Sequence, residues 1–149
     1  MKSTFIALAG LVALWATPAT AQTCTGVTLK KNELDTLLNG KYACVGTFPT
    51  AQWNELHSGG TLIDYKLGAS HPKDPTKNVG TYTIINGGVS GNDGVVTYNY
   101  GSGGTYGYHV YANLGTISPA AGLYSFCTTG GGSNFAVKVG QTTANGGCP

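Results

Sequence analysis

The sequence predicts an all-β protein, an antiparallel meander of seven or eight strands closed into a small barrel, with one short N-terminal helix. Thr, Val and Tyr, which favour pleated and half-buried backbone, are frequent, and only 9% of the residues are charged. The 24 glycines often fall in clusters that separate the candidate strands, as tight turns would. Because only residues 29–38 have the pattern of a helix, the crossover helices that a parallel sheet needs are missing.

The predicted elements follow one another closely along the chain. The helix places Leu34, Leu37 and Leu38 on one side and ends at Asn39-Gly40. Residues 52–57 fit either an eighth short strand or a helical turn. Eight strands that close on themselves leave no exposed edge, and their interior holds side chains or one small ligand. Apart from residues 52–57, the predicted strands are residues 41–48, 61–67, 79–85, 95–100, 105–112, 123–128 and 134–139.

The first 21 residues have the layout of a secretory signal peptide. Lys2 precedes an apolar run at residues 5–15, and Pro18 is followed by the small residues Ala19-Thr20-Ala21. The run is too short to cross a bilayer of about 30 Å at about 1.5 Å per residue. We therefore expect cleavage after Ala21, no membrane span in the mature chain, and a single disulfide-stabilised β domain at residues 22–149 in the periplasm or secreted.

Four cysteines follow the leader, and an even number in an exported chain predicts two disulfides. No pair has the spacing of a zinc site, so no metal is expected. Three pairings are possible. The Gly-rich C-terminal tail has little else to hold it, which favours Cys44 with Cys127 and Cys24 with Cys148. The local pairing, Cys24 with Cys44 and Cys127 with Cys148, is an alternative.

The charge pattern argues against nucleic acid as a partner. The formal net charge is only +2 at pH 7 and the chain has no arginine, the side chain best suited to phosphate and guanine. The glycine runs lack the Lys-Ser/Thr step of a phosphate-binding loop, so they are predicted to be turns. No cofactor is predicted.

The hairpin at residues 95–112 is the strongest local pattern. Alternation places Val96, Tyr98 and Tyr100 on one face, and Tyr106, Tyr108, Val110 and Ala112 share a face of the partner strand. These tyrosines suit either a filled core or the wall of a ligand cavity. Trp53 is the one tryptophan outside the leader, and we expect it either to cover the mouth of the barrel or to plug its end.

A short helix followed by Leu38-Asn39-Gly40-Lys41-Tyr42 resembles the opening of lipocalin-like and other calycin barrels, with Tyr42 where that family usually has tryptophan. A second resemblance is to uncharacterised exported proteins of Gram-negative bacteria. It implies a periplasmic or secreted location and no particular activity. It covers Trp53-Asn54-Glu55-Leu56-His57, Asp64-Tyr65-Lys66, Asp74-Pro75-Thr76-Lys77 and Val79-Gly80-Thr81-Tyr82.

Reactive side chains do not form a recognisable catalytic motif. The serines lie outside any G-x-S-x-G elbow, and the three histidines lack the spacing of a helical metal pair. Glu55 and Asp64 are the carboxylates that a hydrolase could use, with His57 or His71. We therefore assign no catalytic residue, and a non-enzymatic role is favoured.

Three functional hypotheses follow. The first is a binding module for a small apolar, aromatic or glycan ligand, contacted by Trp53, Tyr98, Tyr100, Tyr106 and Tyr108. The second is a protein-interaction or inhibitor module that contacts an envelope protein through the proline-stiffened loop at residues 70–78, with His71, Lys73, Asp74 and Lys77. The third is a small hydrolase that uses Glu55, Asp64 and His57.

Overall fold

The computed structural model describes residues 24–46, 51–66, 77–87, 91–112, 122–130 and 132–141. The predicted leader lies outside these residues. Within them, one α-helix and nine strands follow the chain, and the nine strands belong to a single sheet. The elements are β1 (Val27–Thr28), α1 (Lys31–Leu38), β2 (Tyr42–Gly46), β3 (Ala51–Ser58), β4 (Thr61–Lys66), β5 (Lys77–Asn86), β6 (Gly94–Asn99), β7 (Thr105–Ala112), β8 (Leu123–Thr128) and β9 (Phe135–Gly140).

Strands β2 to β9 form a closed, eight-stranded antiparallel barrel in which each strand pairs with the next along the chain. The barrel closes where β9 returns to β2, with Ala43 opposite Val139. The predicted fold class is therefore confirmed, and residues 52–57 belong to the strand β3. The short β1 was not predicted. It pairs with Tyr111 and Ala112 at the end of β7, which extend past the residues of β7 that pair with β6. This closed barrel is compatible with a lipocalin-like small barrel.

Helix α1 covers one end of the barrel. Its Leu34 and Leu38 are fully buried, and the helix packs against β5, β6 and β9. The backbone N–H of Lys30 donates to the Glu33 carboxylate at 2.7 Å, which satisfies one of the unpaired donors at the start of the helix. The helix begins at Lys31, two residues later than predicted, since Leu29 is instead hydrogen-bonded to the backbone of Val110 in β7.

Alternation along the strands separates an interior face from an outer one. The apolar core between the helix and the middle of the barrel is built from interior residues of several strands, so the predicted inward face of the β6–β7 hairpin is confirmed. This core includes Leu34, Leu38, Leu62, Val96, Val110 and Val139. Within the part of the chain that the structure describes, no helix has the length and apolar character needed to cross a membrane.

The disulfide pairing predicted from the sequence is wrong. Cys24 bonds Cys127, with a Cα–Cα distance of 5.9 Å, which excludes both the Cys44–Cys127 and the Cys24–Cys148 bonds and also the local pairing. Cys44 is disulfide-bonded too, whereas Cys148 lies outside the described residues. The physical reason is that Cys24 lies three residues before β1, and β1 and β8 pair with opposite edges of β7, so the fold brings the N-terminal segment and Cys127 to the same part of the barrel.

Candidate functional site

A cavity of about 560 Å³ occupies the barrel on the side away from α1. It opens to the surface, because two of its lining side chains, Trp53 and Tyr106, are 45% and 41% exposed. All five residues predicted to contact a ligand line this one cavity. The full lining is Ala43, Val45, Trp53, Glu55, His57, Tyr98, Tyr100, Tyr106, Tyr108, Phe126, Gly132, Ser133, Phe135 and Val137.

Strand periodicity sets the depth of each side chain in the cavity. On β3, Trp53, Glu55 and His57 share the inner face at intervals of two residues, or about 6 to 7 Å along the strand. His57 is nearest the helix-covered end and only 1% exposed, whereas Trp53 is nearest the mouth. Tyr98 and Tyr100 repeat this order on and after β6, so polar groups lie at two depths below an aromatic rim.

Aromatic rings in mutual contact form a continuous wall of the cavity. The ring centroids of Tyr98 lie 5.9 Å from Tyr108 and 6.4 Å from Tyr100. Tyr100 is 6.2 Å from Tyr106 towards the mouth, and Tyr108 is 6.1 Å from Phe126. These separations are those of favourable offset or tilted aromatic pairs. The wall is therefore mostly apolar, with hydroxyl groups at intervals.

The deeper polar pair joins His57 to Tyr98. His57 Nε2 and the Tyr98 hydroxyl lie 3.0 Å apart, and the edge of the His57 ring also packs against Tyr82 at 4.8 Å. Burial lowers the pKa of His57 to about 4, although the backbone carbonyls of Glu55 and Lys41 oppose part of this effect. The imidazole is therefore neutral at pH 7. Among the described residues, its Nδ1 has no hydrogen-bond partner of good geometry.

The shallower polar pair joins Tyr100 to Glu55. The Tyr100 hydroxyl donates to Glu55 Oε2 at 2.8 Å. Burial raises the pKa of Glu55, the hydrogen bond from Tyr100 partly offsets this, and the negative charge of Asp64 raises the pKa further. Burial and the adjacent Glu55 also raise the pKa of Tyr100 well above its usual value. The phenol therefore stays protonated and acts as the donor.

The three residues named for a hydrolase come close together, but only two face the cavity. Glu55 and Asp64 are opposite each other in the β3–β4 register, and His57 lies two residues from Glu55. Asp64 is buried and does not line the cavity, unlike Glu55 and His57. Two carboxylates flanking one substrate bond are what glycoside hydrolysis requires, so the cavity wall supplies one half of such a pair.

The interaction loop stays a prediction. His71, Lys73 and Asp74 lie outside the described residues, whereas Lys77 is exposed at the start of β5. In the described ranges, no group of three or more His, Cys, Asp or Glu side chains is arranged to hold a metal ion.

Several cavity residues were missed at the sequence level. Phe126, Phe135 and Val137 come from β8 and β9, which extend the wall beyond Tyr108 and join it to β2 where the barrel closes. Their alternation was visible, but the strand they would face was not. Glu55 and His57 were considered for catalysis alone, although Trp53-x-Glu55-x-His57 has the two-residue spacing that places all three on one face.

The chain matches no protein-family model, no curated protein and no solved structure at a significant level.

Proposed function

We propose that the chain is an exported binding protein that holds one small ligand, with an apolar or aromatic body, inside the open end of its barrel. The observation that carries this proposal is the cavity, in which seven of the fourteen lining residues are Trp, Tyr or Phe. Its volume of about 560 Å³ falls within the range of about 300 to 1,000 Å³ that is typical of small-molecule sites. A predominantly apolar wall with a few converging polar groups is also typical of such sites.

An extracytoplasmic location completes the proposal. The predicted leader and the Cys24–Cys127 disulfide both support it, since such bonds persist in oxidising compartments. The barrel with a helix over one end also supports a relationship to lipocalin-like barrels. An apolar or aromatic body is favoured over a glycan, because aromatic and aliphatic side chains dominate the lining and the His57 ring is already engaged by the Tyr98 hydroxyl.

Trp53 provides the test. In the mature chain it is the one tryptophan, it lines the cavity, and ligand entry should change its fluorescence. Titrations with benzene derivatives, linear alcohols, fatty acids and monosaccharides, checked by calorimetry, should give saturable binding of the apolar or aromatic compounds.

Two variants of β7 locate the site. Tyr106→Ala removes an exposed ring of the rim and should weaken binding about fivefold or more, since an aromatic contact contributes roughly 0.5 to 1.5 kcal/mol beyond its buried area. Tyr111→Ala removes the same group from the outer face and should leave binding unchanged. Absence of any saturable signal across the panel would refute the binding function.

A further inference from the structure

We propose that the cavity selects a cation: a protonated amine on an apolar or aromatic body, with its ammonium group bound by Glu55 between aromatic rings. This inference rests on the proposed binding function and names the ligand class. It follows from three features of the cavity, namely its charges, the free acceptor capacity of Glu55 and the rings around that carboxyl group.

The lining carries an acidic group and no basic one. Glu55 is its one carboxylate, and neither Lys nor Arg is among the described lining residues. His57 is neutral at pH 7 because it is deeply buried. Asp64, opposite Glu55 on β4, is buried outside the cavity lining and adds negative potential next to Glu55. A ligand carboxylate would therefore meet like charge and no counter-ion.

Glu55 retains capacity for a ligand. Its Oε2 accepts the Tyr100 hydroxyl at 2.8 Å, and in the described part of the chain no cation pairs with the carboxylate. A partly buried carboxylate without a counter-ion is costly, because burial disfavours its charged form. An ammonium group supplies both the opposite charge and additional N–H donors, so it offsets a cost that a neutral ligand leaves in place.

The rings beside Glu55 favour the same charge. Tyr98, Tyr100 and Tyr106 form a contiguous series with centroid separations of 6.4 and 6.2 Å, and Trp53 lines the cavity two residues from Glu55 on the same strand. The faces of aromatic rings attract cations, most strongly where water is excluded. Ring faces and a carboxylate together define a site for an ammonium head, with Phe126 and Phe135 left to contact the apolar body.

Three ligands of nearly equal shape test the charge preference. Calorimetry of the mature chain at pH 7 with 2-phenylethylamine, 2-phenylethanol and 3-phenylpropionate should rank the amine first and the carboxylate last. We expect the amine to bind about 10- to 100-fold more tightly than the alcohol, as a charge-assisted hydrogen bond would provide.

Matched variants assign the preference to Glu55. Glu55→Gln should weaken binding of the amine much more than binding of the alcohol and so remove the advantage of the amine. Glu33→Gln makes the same change on the exposed helix, where Gln still caps the first turn, and should keep the preference. Glu55→Asp retains the charge and should keep the amine ahead of the alcohol, which separates loss of charge from loss of folding.

The outcomes distinguish the two proposals. Equal affinities of the wild-type chain for amine and alcohol would overturn the cation preference and leave the binding function standing. Tighter binding of the carboxylate, or an unchanged amine preference in Glu55→Gln, would overturn it as well. Failure of all three compounds, together with the wider panel, would refute the binding function itself.

Discussion

The His57 side chain is a neutral imidazole enclosed by the barrel, and its burial links stability to pH. The rings of Tyr82 and Tyr98 face it, and the Glu55 side chain lies two residues along the same strand. Its pKa is about 4 in the folded chain against an ordinary value of 6.5. Between these values the unfolded chain binds a proton that the folded chain does not, so stability falls as the pH falls.

We predict that His57→Gln weakens this pH dependence. From pH 7 to pH 4, the unfolding free energy of the wild type should fall by about 3 kcal/mol more than that of the variant, because one unit of pKa is worth about 1.36 kcal/mol. Glu55 acts in the opposite sense: its raised pKa means that protonation at low pH relieves a folding cost. Urea unfolding at several pH values measures the difference directly.

His109→Gln provides the control for this measurement, since His109 lies on the outer face of β7, opposite Cys127. That variant leaves the contribution of His57 in place and should show the wild-type loss of stability towards pH 4. Parallel pH profiles for wild type and His57→Gln would contradict the prediction.

At the scale of elements, α1 is seated on the barrel through a glycine. Gly94 begins β6, is buried, and donates its N–H to the Leu29 carbonyl at 2.8 Å. A Cβ atom at this position would lie 2.6 Å from Leu34 Cδ1 and 2.9 Å from the Lys30 carbonyl carbon. The close approach of helix and strand therefore requires the absence of a side chain.

We predict that Gly94→Ala destabilises the chain by about 1 to 3 kcal/mol, because the helix must move away from the end of the barrel. Thermal or urea unfolding measures the change. Gly130→Ala is the matched control: a Cβ at Gly130 has no heavy atom within 4 Å, so its stability should stay close to that of the wild type. Equal losses in both variants would contradict the prediction, because they would show that the packing of α1 against Gly94 does not set the cost.

At the scale of the whole molecule, the Cys24–Cys127 disulfide ties the segment before β1 to β8 across 103 residues. Linking positions so far apart restricts the unfolded chain, and such a bond typically contributes about 2 to 4 kcal/mol. This is a large share of the roughly 5 to 15 kcal/mol by which domains are usually stable.

We predict that Cys24→Ala and Cys127→Ala each cost about 2 to 4 kcal/mol and that the double variant costs little more, since one bond is lost in all three. Cys44→Ala removes a different disulfide and should add to Cys127→Ala. Non-reducing peptide mapping should recover a Cys24–Cys127 peptide and, by elimination, a Cys44–Cys148 peptide. Recovery of a Cys44–Cys127 peptide would contradict this pairing.

Local features of the sequence were sufficient for the helix, for most of the barrel strands and for one wall of the cavity, but not for β1. The two-residue alternation of Tyr98, Tyr100, Tyr106 and Tyr108 identified the inner face of a hairpin. Residues 105–112 and 123–128 were predicted with the bounds that the structure has. These signals succeed because alternation and turn formation depend on neighbours along the chain.

Long-range geometry was decided only by the tertiary structure. Whether the tyrosines fill a core or line a cavity depends on the opposite wall from β2 and β3 and on the closure of the barrel through β8 and β9. The environment of Glu55 depends on Tyr100, which is 45 residues away. Cys24 reaches Cys127, 103 residues away, because β1 and β8 both pair with β7. Pairings between distant segments depend on the shape into which the whole chain closes, and residue spacing does not encode that shape.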